Sequence, residues 1–427
     1  MLHNSLNLLL LLVMSSASKY NEYEIVVGLE IHAQLLTKTK AYSGDINEYG
    51  AAPNTNVSPI TLGHPGTLPR VNKKTVEYGV RLGLACGAQI RHENQFARKN
   101  YFYADLPKGY QITQDKTPLC SGGGIWIKDD SGQKKFVQIT RIHMEEDSGK
   151  SIHDLDPFKT LIDLNRAGTP LLEIVSEPEI RSPQEAYNYV TEVRKLLRYL
   201  GICDGNMEEG SLRCDANVSV RKKGSTELGQ RTETKNLNSI RNVYRAIEFE
   251  AKRQIDVLES GGTIGMETRG FDAVSGKTNS QRSKEMAHDY RYFPEPDLPP
   301  VLVSDDFINQ IKSNLPPLPN QLVKRYIEDL GLSEYDAELI TEDKAVALYY
   351  EKLVEKTSNY KAAANWMMGA VKSYMNENAL GIEDFPLAAE KIAGIIQLID
   401  EGKVSNTIAA QKIFPALIEN PNETAES

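Results

Sequence analysis

The sequence predicts an α+β protein in which a mixed, mainly antiparallel sheet domain is followed by an all-α domain. Segments whose apolar side chains recur at every second residue, as in half-buried strands, occur up to Val303, and no strong one follows. From Asp305 onward the apolar residues recur at helical spacing with short polar breaks. The length of 427 residues exceeds what one hydrophobic core usually serves, so two or three domains are expected.

Residues 1–20 are predicted to be a leader. They contain the apolar run LNLLLLLVM, which is too short to span a bilayer, and no Lys or Arg precedes Lys19, whereas secretory signals begin with positive charge. Three interpretations stay open: a mis-assigned start with Met14 as the first residue, a cleaved targeting segment, and a membrane anchor. No later segment resembles a transmembrane helix, so we expect a cytoplasmic protein, or one of an organelle matrix if the leader is a transit peptide.

Charge and cysteine usage restrict the function only broadly. The net charge of -9 argues against wholesale wrapping of nucleic acid but permits a local basic groove. The four cysteines lie far apart without a CxxC pair, which argues against a disulfide framework and a cysteine zinc motif. This usage is typical of a reducing cytosol.

The first part of the chain predicts a strand, a loop and a helix. Residues 23–34 alternate strictly, which places Glu30 and His32 on one polar face of a strand. Taken alone, this segment is most simply an exposed edge strand. Residues 41–70 are rich in Gly, Pro and Asn, as loops are, and residues 73–84 carry an apolar stripe at helical spacing.

Residues 98–114 interleave cations with aromatic side chains. This combination suits a nucleotide base and its phosphates, and it suits a well-packed loop with half-buried tyrosines equally. The chain then alternates over residues 136–143 and enters the acidic segment RIHMEEDSGKS, residues 141–151. That segment ends like a phosphate-binding P-loop, but Met144 occupies the position of the first glycine, so the motif is incomplete.

Residues 161–175 predict two strands around a Gly-Thr-Pro turn. In the second strand Glu173 lies among apolar neighbours, where a carboxylate is costly to bury without a partner. Residues 182–200 predict a helix that starts with a capping box of Ser182 and Glu185 and stops at a glycine. The remaining elements are strands at residues 211–220 and 231–235 and a long helix at about 239–259.

The proline-rich residues 289–300 mark the predicted end of the first domain. We therefore expect the leader to be followed by a catalytic domain at residues 21–304 and a helical domain at residues 305–427.

Carboxylates lie on the polar faces of at least five separate predicted strands. If these strands are neighbours, the acids converge, and with few thiols nearby they would hold a hard cation such as Mg²⁺ or Mn²⁺. A solvated, charged face of an antiparallel sheet explains the same pattern equally well. The acids are Glu30, Glu145 or Glu146, Glu173, Asp215 and Glu233; histidines at 32 and 143 accompany them, and Arg98, Lys99, Arg141, Lys150 and Lys235 are available for phosphates.

Six segments carry a close resemblance to one family. VVGLEIHAQL, RKNYFYADLPKGYQITQ, RIHMEEDSGKS, LIDLNRAGTPLLEIVSEPEIRSPQEAY, MEEGSLRCDANVSV and DYRYFPEPDLP resemble the B subunits of the aspartyl/glutamyl-tRNA amidotransferases, nearly without gaps from about residue 23 onward. The resemblance implies a cradle fold and a kinase that uses ATP and Mg²⁺ to phosphorylate the side-chain carboxylate of Glu-tRNA(Gln), Asp-tRNA(Asn) or both. It also implies a heterotrimer in which an amidase A subunit supplies ammonia through a channel and a small C subunit joins the two.

The resemblance assigns roles to individual residues. It implies metal binding by Glu30, His32, Glu146 and Glu173, with Glu145 beside them, and it places Asp215, Glu233 and Lys235 in the cavity and channel. Neighbouring residues of a strand face opposite sides, so Glu145 and Glu146 are expected to differ in role, with Glu146 at the metal and at the mouth of the channel. As catalytic residues we expect Glu146, Glu145 and Lys235, and as contacts to ATP we expect Arg98, Lys99, Tyr103, Lys108 and Lys150.

Two departures from the family qualify these expectations. Many members carry a zinc knuckle in the early loop, but its positions hold Ser43, Asp45, Ser58 and Thr61, so no structural zinc is expected. The chain ends at Ser427, so the tail that grips tRNA is expected to be short or missing. The alternatives are therefore a tRNA-binding or assembly subunit with impaired turnover and a stand-alone, metal-dependent nucleotidyl hydrolase.

Overall fold

The computed structural model describes residues 19–283 and 290–426, and the predicted leader lies outside these residues apart from Lys19 and Tyr20. The chain divides into two compact units, Met1–Leu315 and Pro316–Ser427. Among the described residues, no helix is long and apolar enough to cross a membrane.

The first unit combines strands with a few helices. Its strands are β1 (Tyr23–Gln34), β2 (Gln89–Ile90), β3 (Glu93–Asn94), β4 (Ala97–Asn100), β5 (Tyr110–Thr113), β6 (Cys120–Ser121), β7 (Gly124–Lys128), β8 (Lys134–Glu146), β9 (Lys150–Ile152), β10 (Leu161–Asp163), β11 (Pro170–Ser176), β12 (Leu212–Lys222), β13 (Thr232–Leu237), β14 (Glu267–Asp272), β15 (Lys277–Ser283), β16 (Phe293–Pro294) and β17 (Val301–Leu302). Its helices are α1 (Lys73–Ala85), α2 (Pro183–Leu200), α3 (Ile240–Glu259) and α4 (Asp305–Ser313).

A ten-stranded sheet dominates this unit, with the order β15-β14-β13-β12-β1-β11-β8-β6-β2 and with β7 also paired to β8. Its described pairs are antiparallel except for β13 and β14, which run parallel. Strand β1 lies in the interior of the sheet between β11 and β12. The first strand of the fold is therefore central, although its sequence alone suggested an exposed edge.

One face of the central strands is apolar and buried. Leu29, Ile31 and Ala33 alternate along β1 with no exposed surface, and Leu172 and Ile142 continue this layer on β11 and β8. Helices α1, α2 and α3 pack on the sheet. Each buried aliphatic side chain contributes about 1.5–3 kcal/mol, so this face holds the sheet and the helices together. The side chains between them point to the other face and form the site described below.

Local sequence signals explain the ends of helix α2. The Ser182 hydroxyl accepts a hydrogen bond from the Glu185 backbone amide at 3.0 Å, and Gly201 ends the helix in the left-handed conformation with φ of 65°. The predicted capping box is not formed as expected, because the Glu185 carboxylate accepts from the Arg181 backbone amide and from the Lys135 ammonium instead.

The second unit is helical throughout its described residues. Its elements are α5 (Pro319–Glu328), α6 (Glu334–Ile340), α7 (Lys344–Val354), α8 (Tyr360–Trp366), a π-helical turn (Met367–Val371), α9 (Lys372–Asn378), a 3-10 turn (Ile382–Asp384), α10 (Ala389–Asp400), α11 (Asn406–Ile408), a second π-helical turn (Ala409–Ile413) and α12 (Phe414–Glu419). The rings of Trp366, Tyr374, Phe385 and Phe414 contact one another in its interior.

The coarse prediction, a sheet-containing domain followed by a helical region, is confirmed. The division between the two units falls after α4, later than the position suggested by the proline-rich stretch, because α4 packs on α1. The two strands around the Gly-Thr-Pro turn do not pair with each other: β10 pairs with β9, and β11 pairs with β1 and β8.

Candidate active site

Four polar side chains form one rung across the middle of the large sheet. Strand register places Arg213 opposite His32, His32 opposite Glu173, and Glu173 opposite His143. Directly paired residues share a face, so all four side chains stand on the side away from the apolar layer. The rung therefore crosses four successive strands, β12, β1, β11 and β8.

The neighbouring rungs add further charge to the same face. Glu30 pairs with Asp215 across β1 and β12, two residues from the first rung. On the other side of that rung, Leu171 pairs with both Gln34 and Glu145. The convergence of acids from separate strands that the sequence suggested is thus a result of the strand register.

These rungs form the floor of a cavity of about 1170 Å³ within the first unit. Most of the predicted site residues line it, from strands and loops far apart in the sequence. They are Glu30, His32, Lys99, Tyr103, Glu145, Lys150, Glu173, Asp215, Glu233 and Lys235, and Arg141 lines it as well.

The centre of the cavity is a cluster of two carboxylates and two imidazoles. Glu173 Oε2 lies 3.2 Å from His32 Nε2 and 3.5 Å from His143 Nε2. His143 Nε2 also lies 3.6 Å from Glu145 Oε2. One ligand atom each from His143, Glu145 and Glu173 lie within 4.8 Å of one another, and all three residues are buried. The buried Nδ1 atom of His143 has no hydrogen-bond partner among the residues that the structure describes.

Opposite charges keep the two central acids ionised. Burial alone would raise the pKa of Glu173, but His143 and the hydrogen bond with His32 hold that pKa well below its usual value. Burial acts in the same direction on Glu145, and Lys99 lowers its pKa below the usual value. For His32, burial lowers the pKa, but the hydrogen bond with Glu173 leaves it raised. The cluster therefore offers two anionic carboxylates at neutral pH.

A second group of charges borders the cluster. Lys235 Nζ lies 3.1 Å from both Asp215 Oδ2 and Glu233 Oε1, and Glu30 accepts a hydrogen bond from Asn217 Nδ2 at 2.9 Å. Burial, and then the charge of Glu173, raise the pKa of Glu30. Three acids, Glu30, Asp215 and Glu233, therefore lie beside one ammonium at this edge of the cavity.

Glu146 faces the opposite side of β8 and does not line the cavity. Its Oε1 atom accepts from the ammonium of Lys108 and from the Ile112 backbone amide, the latter at 2.9 Å. Its Oε2 atom points towards Gly168. The alternation of β8 places Glu145 and Glu146 on opposite faces, and Glu145 is the one that contacts His143.

Two predicted ATP contacts also lie outside the cavity. Arg98 donates to Glu295 from Nε at 2.7 Å and from Nη2 at 2.9 Å, and its guanidinium stacks 4.1 Å from the Tyr110 ring. The guanidinium of Arg98 is therefore engaged in contacts within the protein. Arg98 and Lys99 are neighbours on β4, so their side chains point to opposite faces of that strand. Lys108 is held by Glu146.

Several cavity residues were given no role from the sequence, although His143 was noted there beside the acids. His143 and Arg213 complete the central rung, and Tyr101, Tyr290 and Tyr292 form an aromatic wall with ring centroids 5.9–6.1 Å apart. The signal for Arg213 was present in its alternation with Asp215, but nothing local shows that β12 pairs with β1.

The four side chains at the zinc-knuckle positions lie together in the early loop. The carboxylate of Asp45 accepts from the Thr61 hydroxyl and from the Ser58 backbone amide, the latter at 3.0 Å. The Ser43 hydroxyl lies 3.4 Å from that of Thr61. Hydrogen bonds among hydroxyls and one carboxylate therefore connect the two ends of this loop.

The central donor set fits a divalent cation that accepts oxygen and imidazole ligands. Carboxylate oxygens are the preferred ligands of Mg²⁺ and Mn²⁺, and imidazole is a ligand for several transition metals. The close approach of three ligand atoms, one each from His143, Glu145 and Glu173, is consistent with such a site. With cations at the rim and tyrosines on one wall, the cavity combines features that bind metal, phosphate and base.

Comparison with known proteins gives a consistent result over nearly the whole chain. Residues 25–309 match the GatB/GatE catalytic domain, and residues 348–427 match the GatB domain. The chain is 51% identical to the B subunit of the aspartyl/glutamyl-tRNA(Asn/Gln) amidotransferase from Thermodesulfovibrio yellowstonii, covering 95% of this chain and 85% of the relative. It is 53% identical to the protein of the same name from Chlorobaculum tepidum, covering 95% and 84%, and 51% identical to that of Caldicellulosiruptor saccharolyticus, covering 93% and 83%.

Proposed function

This chain belongs to the family of the aspartyl/glutamyl-tRNA(Asn/Gln) amidotransferase B subunits, and from that premise we propose that its cavity is the kinase centre of the enzyme. The family converts Glu-tRNA(Gln) or Asp-tRNA(Asn) to Gln-tRNA(Gln) or Asn-tRNA(Asn) in an ATP-dependent, glutamine-hydrolysing reaction. Its B subunits act in a heterotrimer with an amidase A subunit and a small C subunit. We place the reaction in the cytoplasm and the kinase centre in the first unit of the chain.

The observation that carries the proposal is the buried cluster of His143, Glu145 and Glu173, with His32 beside it. We assign the metal site to these four residues, which replaces Glu146 by Glu145 and adds His143; Glu30 stands one rung away. A bound Mg²⁺ would offset the repulsion between the substrate carboxylate and the γ-phosphate. The low pKa values of Glu145 and Glu173 keep both side chains ready to bind it.

In the proposed reaction, a side-chain carboxylate oxygen of the aminoacyl-tRNA attacks the γ-phosphorus of ATP. The bond from that phosphorus to the bridging oxygen breaks and releases ADP, which leaves an acyl phosphate on the tRNA. Ammonia then attacks the acyl carbon, loses a proton and expels phosphate to give the amide. The cavity has to bring two anions, the substrate carboxylate and the γ-phosphate, close together. Its cations Lys99, Lys150 and Lys235 offset the repulsion between them.

We propose that the nucleotide binds to Lys99 and to the aromatic wall formed by Tyr101, Tyr290 and Tyr292. Lys99 Nζ lies 5.3 Å from the centroid of the Tyr290 ring and 3.7 Å from Glu145 Oε1. Stacking on tyrosine rings supplies base binding without a P-loop. Of the predicted ATP contacts, Lys99, Tyr103 and Lys150 are retained, whereas Arg98 and Lys108 are not.

We propose Glu146 as a gate for ammonia on the reverse side of β8. The carboxylate is buried and paired with Lys108. A carboxylate in this position can accept a proton from ammonium, and the pair has to open for a molecule to pass. Glu145 and Glu146 would then serve the two half-reactions from opposite faces of one strand.

The test is amide formation by the heterotrimer, with ATP, Mg²⁺ and Glu-tRNA(Gln) or Asp-tRNA(Asn), using either glutamine or free ammonia as nitrogen donor. We expect one ADP per amide, and ADP release only with acylated tRNA. Glu145→Gln should reduce amidation with both donors, and Glu146→Gln should reduce it with glutamine far more than with ammonia. ATP turnover without tRNA would support a hydrolase instead, and tRNA binding without product would support an assembly role.

A further inference from the structure

Arg213 occupies the end of the central rung, and the kinase proposal leaves it without a role. It lies on β12 opposite His32, and 31% of its side chain is exposed to the cavity. Neighbouring strands are about 4.8 Å apart, so the backbone of Arg213 lies two strand spacings, or about 10 Å, from that of Glu173. A phosphoryl group fits between a guanidinium at this place and the carboxylate cluster.

A buried carboxylate fixes the position of this guanidinium. Arg213 Nη1 donates to Asp147 Oδ2 at 2.8 Å, and Asp147 is only 4% exposed. The same Oδ2 atom accepts from Gln34 Nε2 at 2.8 Å, and Oδ1 accepts from the Ser148 backbone amide at 3.0 Å. Arg166 Nε adds a contact at 3.7 Å. Both oxygens of Asp147 therefore accept hydrogen bonds, and the contact with Nη1 fixes the position of the Arg213 guanidinium.

The guanidinium keeps donors for a ligand. It has five N–H groups, and the bond to Asp147 uses one of them. Lys99 and Lys235 are also paired with acids of the cavity, but their ammonium groups lack the planar, paired donors of a guanidinium. A planar guanidinium offers two parallel donors that match a pair of phosphate oxygens.

We propose that Arg213 binds two non-bridging oxygens of the phosphoryl group that moves from ATP to the carboxylate on the tRNA, with Asp147 and Gln34 as positioning residues. This inference rests on the proposed kinase function. A phosphoryl group in transfer spreads its charge over three equatorial oxygens, and a fixed guanidinium stabilises that charge without reorganisation. The substrate carboxylate is the alternative anion, and it predicts a different kinetic effect.

The experiment compares Arg213→Met, Arg213→Lys and Asp147→Asn in the assembled heterotrimer. We expect Arg213→Met to lower kcat for amidation at least about 100-fold while the KM for aminoacyl-tRNA changes less than about threefold. Arg213→Lys should recover part of the loss, because the charge remains but the paired donors do not. Asp147→Asn should give a smaller loss in kcat. Hydrolysis of glutamine by the A subunit should be unchanged in all three.

Arg221→Met is the matched control. Arg221 lies on the same strand and donates from Nε to Glu24 Oε2 at 2.6 Å, but it does not line the cavity. It should keep the kcat of the wild type. If Arg213→Met does not fold, Arg213→Lys carries the test through its kcat.

Three results would overturn the inference. Full kcat in Arg213→Lys and Arg213→Met would show that the guanidinium has no part in the reaction. A loss confined to the KM for aminoacyl-tRNA would assign Arg213 to the substrate carboxylate. A wild-type heterotrimer that forms no amide would remove the proposed function and this inference together, which distinguishes that failure from the first two.

Discussion

Two clusters of buried charge lie on opposite faces of the same sheet and differ in how many groups contact their central carboxylate and in whether they line the cavity. The first is the cavity cluster of His32, His143, Glu145 and Glu173. The second, which we call the α3 cluster, is centred on Glu250 and includes Arg253 and Arg269. Glu250 is fully buried, and its α3 helix packs against β12, β13 and β15.

The carboxylate of Glu250 has a donor in every direction. Arg253 donates to both of its oxygens, at 2.6 and 2.9 Å, and Arg269 Nε lies 3.2 Å away. The remaining bonds to it come from Thr232 at 2.8 Å, Thr278 at 2.8 Å and Gln254 at 3.1 Å. Both oxygens of Glu250 therefore accept several hydrogen bonds, whereas the buried Gln254 Oε1 has no partner among the described residues. The bonds to Glu250 join α3 to the strands.

The cavity cluster also combines buried acids with basic side chains, but fewer groups contact its central carboxylate, Glu173. Glu173 is shared by two imidazoles, one nitrogen of His143 has no partner in the described part of the chain, and the side chains open into the cavity. The difference shows that burial of charge does not by itself mark a functional site. What distinguishes the cavity cluster is that its side chains line a cavity that a ligand can enter, whereas Glu250 does not line this cavity.

Glu173→Gln should have the largest effect on activity and little effect on folding. Loss of the shared carboxylate removes an anionic ligand of the proposed metal, so amidation should fall about 1000-fold or more. The unfolding free energy should change by less than about 1 kcal/mol, since His32, whose pKa is raised by its hydrogen bond with Glu173, can release its proton when the anion is lost. Amide formation and urea unfolding of the same preparation measure the two effects. A variant that amidates normally at physiological Mg²⁺ would remove Glu173 from the metal site.

Glu250→Gln should show the reverse pattern. The guanidinium groups of Arg253 and Arg269 cannot be deprotonated, so removal of their buried anion should cost about 3 kcal/mol of unfolding free energy. Amidation per folded molecule should stay within about twofold of the wild type. The midpoint of urea unfolding and the kcat of the folded heterotrimer measure these outcomes. If kcat falls as steeply as in Glu173→Gln, the two clusters are not functionally distinct.

Lys40 is a buried charge outside both clusters, and its effect on stability can be measured through the dependence of unfolding on pH. Its side chain is fully buried, its Nζ donates to the Asn56 carbonyl at 2.6 Å, and burial lowers its pKa to about 8. Between that value and the unfolded value of about 10.4 the unfolded chain binds more protons, so stability should rise with pH by up to about 1.4 kcal/mol per pH unit. Lys40→Met should lose this dependence. Urea unfolding of both proteins between pH 7.5 and about 10 tests the sign, and equal slopes would contradict it.

Glu248→Gln should have the smallest effect and calibrates the others. Glu248 lies on the exposed side of the same α3 helix and forms an ion pair with Lys252 at 2.9 Å. Exposed pairs of this kind contribute about 0.5 kcal/mol or less. Its unfolding midpoint should therefore nearly match that of the wild type, in contrast to Glu250→Gln two residues away. A cost comparable to that of Glu250→Gln would mean that burial is not the deciding factor.

The sequence predicted the positions of individual strands and helices better than it predicted which of them lie next to each other. Strand β1 and helix α2 were located almost to the residue, because alternation and capping are local signals. The pairing of β1 with β11 and β12 was not predictable, since it depends on contacts between segments more than 100 residues apart, and an edge strand and a central strand share one alternating pattern.

The same limit explains why the sequence could not show which predicted residues line the cavity. Alternation separated Glu145 from Glu146, but which face of β8 meets the cavity depends on the register with β11. Arg98 was predicted to bind phosphate because its partner Glu295 lies nearly 200 residues away and leaves no local signal. The acids of separate strands could be named as a group because residue type can be read directly from the sequence. Which strands lie next to each other cannot be read in this way.

The central position of β1 has a consequence for synthesis of the chain on the ribosome. β1 is made first among the strands, yet its partners β11 and β12 end at Ser176 and Lys222. At about 5–20 residues per second, β11 is complete about 7–28 seconds after β1, and until then both edges of β1 are unpaired. Unpaired edges of apolar strands are sites of intermolecular pairing, so the nascent chain should depend on chaperones during this interval. A polypeptide released before β12 is made would contain three of the four residues in the central rung but no stable sheet to hold them.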